Sequence, residues 1–141
     1  MDSNMKRSII LDNYQDTSNR MIPEDTHDYI KINSNNVSCI DNLDIYLKIE
    51  DNIIVDASFE GEACVISISS TNILMNMLIG KTKDEAIYII DNYLKMINEE
   101  EYDKDLLKDL NVYDEIYLQP NRKNCALLPA NAIRKALEQT K

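Results

Sequence analysis

The sequence predicts an α+β fold, a three-stranded antiparallel sheet packed against several helices, on three observations. A block with period-two apolar alternation occupies the middle of the chain, blocks with helical periodicity follow it, and the 141 residues with 44% hydrophobic content suffice for one core and hardly two. Residues 1–141 therefore read as a single domain.

Taken in order, Ile9, Ile10 and Tyr14 stand near helical spacing, which predicts a short amphipathic helix over Met5–Asp16. Thr17–Asn36 carries Pro23, many Asn and Ser, and the sole histidine, His27, and reads as loop. Leu43, Ile45, Leu47 and Ile49 alternate with Asp44, Tyr46 and Lys48, the pattern of a half-buried strand. Glu50-Asp51-Asn52 supplies a turn, Ile53–Phe59 the returning strand, and Ala63–Ser69, with Val65, Ile66 and Ile68, a third strand. Ser70–Ile79 and Lys83–Asn98 carry helical periodicity on either side of Gly80, which stops the first of them. Their inner faces are Ile73 and Met77, then Ala86, Ile87, Ile90, Leu94 and Ile97, and Tyr88, Tyr93 and Ile90 read as packing residues. Glu99–Leu118 opens with three acids and reads as an irregular helix and a connection. Pro129–Gln139 closes the chain as a helix with Pro129 near its first turn and Ala130, Ile133, Ala136 and Leu137 inward.

Charge and composition narrow the function classes. A net charge of −10 repels phosphate backbones and anionic membranes, and no basic stripe interleaved with aromatics occurs, so nucleic acid is a poor partner. Apolar stretches are far shorter than the roughly 20 residues of a membrane-spanning helix, and the N-terminal residues lack a signal-peptide core, so a cytoplasmic location is expected. Three cysteines in a reducing compartment favour thiols or metal ligation over a disulfide frame.

Those cysteines are the chemistry-bearing residues. Cys39 and Asp41 stand two apart, so an extended backbone turns both to one side. Cys64 follows Gly61, which permits a sharp turn that presents a thiol. Cys125 is expected just before the closing helix, where free N–H groups and the helix dipole favour thiolate, with Arg122 and Lys123 beside it. Only a fold could bring the four together. If converged, three thiolates and a carboxylate suit zinc and also iron, with a site charge of −3 − 1 + 2 = −2. A carboxylate is the most exchangeable ligand of such a set. Composition alone, however, rates scattered cysteines as small buried apolar residues, and on that reading the chain is a metal-free acidic adaptor. His27 and the acids at Glu99–Glu101 read as solvated.

Three ordered motifs go further. They are Ile10-Leu11-Asp12-Asn13-Tyr14, Cys39-Ile40-Asp41 with Phe59-Glu60-Gly61-Glu62-Ala63-Cys64 and the serine-rich run after it, and Arg122-Lys123-Asn124-Cys125-Ala126-Leu127-Leu128. In these the chain resembles the U-type iron-sulfur cluster assembly proteins over nearly its whole length, most closely the zinc-binding SufU branch. No histidine shortly precedes Cys125, as one does in the IscU-type scaffold branch, and Glu99–Asn121 resembles the acidic insertion of SufU-like chains. The resemblance implies a compact α+β domain and zinc held by Cys39, Asp41, Cys64 and Cys125. It also implies a cysteine desulfurase of the SufS type as partner, Cys39 as the acceptor of persulfide sulfur, and downstream cluster-assembly proteins as recipients. Asp41 is then the exchangeable ligand, and Arg122 orients the partner or offsets the site's charge. A carrier of this kind counts as a zinc-dependent sulfurtransferase. The alternative is a scaffold on which a [2Fe-2S] cluster is built on the same cysteines and transferred. Ile40 and Ala63 replace family glycines, Pro129 and Ala130 replace an aromatic region, and Asn13 stands where many relatives have histidine.

Overall fold

The computed structural model describes residues 1–36 and 40–139. Its strands are β1 (Ile30–Asn35), β2 (Asn42–Glu50) and β3 (Ile53–Glu62), and its helices α1 (Ser3–Gln15), α2 (Val65–Leu78), α3 (Lys83–Ile97), α4 (Lys104–Leu107) and α5 (Pro120–Gln139). The strands form an antiparallel sheet in the order β1-β2-β3. The α+β class with a three-stranded sheet is as the sequence predicts, but the strand set is not.

The β2–β3 hairpin follows from its turn. Glu50 pairs with Ile53 across two residues, Asp51 and Asn52, at φ +51° and +67°. Two positive-φ residues match the right-handed twist of the strands, and Asp and Asn adopt that conformation cheaply. Leu43, Ile45, Leu47, Ile54, Ala57 and Phe59 are buried along the two strands. The third strand is β1, in the stretch expected to be loop. Its Ile30, Ile32 and Ser34 lie opposite Leu47, Ile45 and Leu43, and the polar residues between them read as loop because an edge strand needs little apolar surface.

Ala63–Ser69, expected as a strand, is instead the run into α2, whose residues Ile66 to Met75 are all buried. The helix predicted over Ser70–Ile79 is the later part of α2; its first turns are enclosed and have no polar stripe, and there Val65, Ile66 and Ile68 mimic strand alternation. Its polar residues are satisfied inside the core. Ser70 Oγ and Thr71 Oγ1 donate to the Ser67 carbonyl at 3.2 and 2.6 Å, Ser69 Oγ shares a 2.6 Å hydrogen bond with Tyr113 OH, and Asn72 Nδ2 donates to Asn13 Oδ1 at 2.8 Å. Gly80, at φ +91°, turns the chain after α2 as expected, and Thr82 with Glu85 forms a capping box that starts α3.

On α3 the buried residues are Ala86, Ile89, Ile90, Asn92, Tyr93, Met96 and Ile97. Ile87 and Leu94 are half-buried, and Tyr88, expected to pack, is 56% exposed. Residues 104–118 form α4 and two 3-10 turns that bury Leu107, Leu110, Val112, Tyr113 and Ile116. Lys6 ties α1 to this segment through Asp114 at 2.6 Å and Glu115 at 2.9 Å. The last helix begins at Pro120, nine residues before the expected start, and Pro129 lies inside it. Pro120 takes the first helical position, where a missing N–H costs nothing. Ala130, Ile133, Ala136 and Leu137 face inward as the periodicity predicts.

Candidate metal centre

The site lies where the end of the sheet meets the starts of α2 and α5. Asp41 stands immediately before β2 and is 7% exposed. Gly61 lets the two strands close up beside it. It lies opposite Leu43 at φ +138°, and a Cβ there would come within 2.2 Å of the Asn42 carbonyl oxygen. The glycine thus serves a close backbone approach within β3 rather than a turn into a third strand over Ala63–Ser69.

Cys64 is the N-cap of α2, with Sγ accepting from the Ser67 N–H at 3.5 Å. Its own N–H, free at the helix start, donates to Asp41 Oδ1 at 2.8 Å. Ser67 Oγ donates to Asp41 Oδ2 at 2.5 Å, and Cys64 Sγ lies 3.8 Å from the same oxygen. Cys125 comes from α5 and is 3% exposed, with Asn36 Nδ2 4.0 Å from its sulfur. Asn36 N–H also donates to the Asp41 carbonyl at 2.9 Å, closing the β1–β2 connection across residues 37–39.

The ligand atoms of Asp41, Cys64 and Cys125 all lie within 4.8 Å of one another. Cys39 lies outside the described residues. Arg122 is exposed on the first turn of α5, lines a cavity of about 610 Å³ with Lys6, Arg7 and Tyr113, and makes no ion pair among the described residues. His27 is exposed in a turn, its N–H donating to Asp25 Oδ1.

One electrostatic expectation is overturned. Cys125 lies within α5, not before it, and its thiol is pushed well up from its ordinary value by burial first, then by Asp41 and Cys64. In this arrangement the proton is held tightly until a cation takes its place. The donor set fits one. Ligand bonds of about 2.0–2.3 Å in a tetrahedron place donors about 3.5–3.8 Å apart, which the 3.8 Å between Cys64 Sγ and Asp41 Oδ2 matches. Two sulfurs and a carboxylate with no imidazole suit zinc or iron, not calcium or magnesium.

Sequence reasoning missed Ser67 and Asn36. Ser67 was legible in principle, since a serine three residues after Cys64 caps the same turn once that stretch is a helix.

The family model of NifU-like N-terminal domains matches residues 5–141. The chain belongs to that family. The iron-sulfur cluster assembly scaffold protein IscU of Thermotoga maritima is 35% identical over 104 residues, 74% of this chain and 73% of that protein. The zinc-dependent sulfurtransferase SufU of Bacillus subtilis is 30% identical over 132 residues, 93% of this chain and 88% of that protein. Among solved structures, an iron-sulfur cluster assembly scaffold protein for the SUF system from Fervidobacterium islandicum AW-1 superposes with a TM-score of 0.86 at 31% identity, covering 96% of this chain and 99% of that one. A NifU-like N-terminal domain from Brucella abortus shares the fold, with a TM-score of 0.80 at 20% identity. As a member of the NifU-like family the chain is an iron-sulfur cluster assembly protein of the IscU/SufU kind. No helix of the described residues is long and apolar enough to cross a membrane.

Proposed function

We propose that this protein is a zinc-dependent sulfur acceptor and carrier for iron-sulfur cluster assembly. The observation that carries the reading is the convergence of Asp41, Cys64 and Cys125 from three separate elements onto one small volume, without a histidine. Cys39 completes the set, two residues from Asp41, and the likeness to the Bacillus sulfurtransferase supports zinc as the ion.

Bound zinc stabilises the thiolate forms and shields them from oxidation until a ligand is exchanged. The chain's own residues do the rest. Asp41 is the exchangeable ligand, and Cys64 and Cys125 are retained. Cys39 thiolate attacks the terminal sulfur of a cysteine desulfurase persulfide of the SufS type. One S–S bond forms on Cys39, the donor's S–S bond breaks, and the donor cysteine leaves as thiolate, so no external electrons are needed. The persulfide on Cys39 then passes to the cluster-building machinery. Exposed Arg122 faces such a partner, and Ile40, 71% exposed beside Asp41, belongs to the same surface.

Elemental analysis of protein produced without added iron is expected to find about one zinc per chain, the content of a single closed site. Asp41→Ala and Cys125→Ala lose it. Mixed with a cysteine desulfurase and cysteine, the protein raises alanine production, and Cys39→Ala abolishes the rise. Absence of metal, or retention of it in both variants, refutes the reading. The likeness to the Thermotoga scaffold favours a second one, assembly of a [2Fe-2S] cluster on the same residues. A stable, transferable visible chromophore after anaerobic reconstitution with iron and sulfide decides for that scaffold.

A further inference from the structure

Ser67 has one hydroxyl proton and two acceptors. Its Oγ lies 2.5 Å from Asp41 Oδ2 and 3.1 Å from the Cys125 carbonyl oxygen. The residue is 1% exposed, so no bulk water competes for that proton. The second acceptor exists because of the sequence of α5. In an α-helix the carbonyl of Cys125 accepts from the N–H four residues on, and that residue is Pro129, which has none. The proline therefore withholds the helical donor from the carbonyl of a candidate metal ligand, and Ser67 reaches across from α2 to it.

We propose that Ser67 is a positioning residue for the Asp41 carboxylate, a two-position donor whose alternative acceptor is the Cys125 carbonyl freed by Pro129. With its proton on Asp41 Oδ2, Ser67 and the Cys64 N–H grip both carboxylate oxygens and hold the side chain toward the sulfurs. When Asp41 swings away, the same proton turns to the Cys125 carbonyl, so neither the buried hydroxyl nor that carbonyl is left unsatisfied. Exchange of the carboxylate then avoids the cost of orphaning a buried polar group. The inference rests on the reading of Asp41 as an exchangeable metal ligand.

The test is the rate of zinc release to an excess of a chromophoric chelator, compared among variants. Ser67→Ala is expected to speed release by about tenfold, the scale of losing an outer hydrogen-bond partner of a ligand, and Ser67→Thr, which keeps the hydroxyl, to stay nearer the parent. Pro129→Ala returns an N–H to the Cys125 carbonyl, commits the Ser67 proton to Asp41 and slows release roughly threefold, the size of one shared neutral hydrogen bond. In the Ser67→Ala background Pro129→Ala has no effect, since the shared proton is gone. Equal release from Ser67→Ala and Ser67→Thr, or a Pro129→Ala effect that persists without Ser67, overturns the inference.

A metal-free readout keeps it independent of zinc. Hydrogen exchange of the Cys64 amide, which is bonded to Asp41, is expected to quicken in Ser67→Ala and to slow in Pro129→Ala only when Ser67 is present. A parent protein that holds no zinc refutes the carrier, while the exchange series still decides Ser67: an unchanged Cys64 amide across the variants refutes its role.

Discussion

Replacing Gly61 with alanine tests how the sheet holds the site. The backbone there is at φ +138°, a region that side chains other than hydrogen avoid, and occupying it costs on the order of 1–3 kcal/mol. The added methyl also meets the Asn42 carbonyl oxygen at 2.2 Å, with Leu43 Cα at 3.1 Å. Relief requires the β2–β3 pair to part by most of an ångström at the residue next to Asp41. Adding roughly 1–2 kcal/mol for overpacking brings the loss to about 3 kcal/mol. For a chain of this size that is a fall of about 10 °C in Tm by calorimetry. Gly80→Ala is the internal control. Its φ is +91° but its Cβ position has nothing within 4 Å, so only conformational strain applies and the fall is smaller. Metal content per chain is expected to fall in Gly61→Ala and not in Gly80→Ala. A Gly61→Ala protein melting within 2 °C of the parent, or no lower than Gly80→Ala, refutes the reasoning.

Two further predictions concern parts of the fold away from the sulfurs. Ser69→Ala strands the buried hydroxyl of Tyr113 and is expected to cost about 1–3 kcal/mol by urea unfolding, whereas adding Tyr113→Phe costs less than the sum of the single changes because both partners are then gone. Strict additivity contradicts the bond. Tyr29 donates to Asp56, and that bond, chiefly, pushes its phenol up from 10.0 to about 12. A raised folded-state value means stability that is fully present below pH 10 and lost as pH climbs from 10 through about 12. Tyr29→Phe is expected to flatten that part of the urea midpoint against pH, and an unchanged slope speaks against it.

The legibility of the chain varied with how each element meets water. The β2–β3 hairpin announced itself because apolar Leu43, Ile45 and Leu47 alternate with Asp44, Tyr46 and Lys48 and its turn residues are Asp and Asn. The inward face of α5 showed for the same reason. By contrast β1 hid in polar residues because it is an edge, and the first turns of α2 hid behind a strand-like alternation because they are enclosed, while the later part of α2 showed its helical period. Misplacing α2 also displaced Cys64 from a helix N-cap to a strand. The start of α5 does not show in the sequence because Pro129, a plausible first-turn residue, sits within a helix already begun at Pro120.

The sequence by itself determined the donor chemistry. Three thiols and a carboxylate within ordered motifs, with no histidine beside the last, name a soft-metal site and a family, since residue type and local spacing are properties of the chain alone. Tertiary structure alone decided that Asp41, Cys64 and Cys125 meet, that burial and mutual proximity raise the Cys125 thiol, and that Ser67 stands between Asp41 and a carbonyl left free by Pro129. Each of these depends on distances between segments 23 to 84 residues apart, 64 − 41 and 125 − 41, and local pattern carries no record of them.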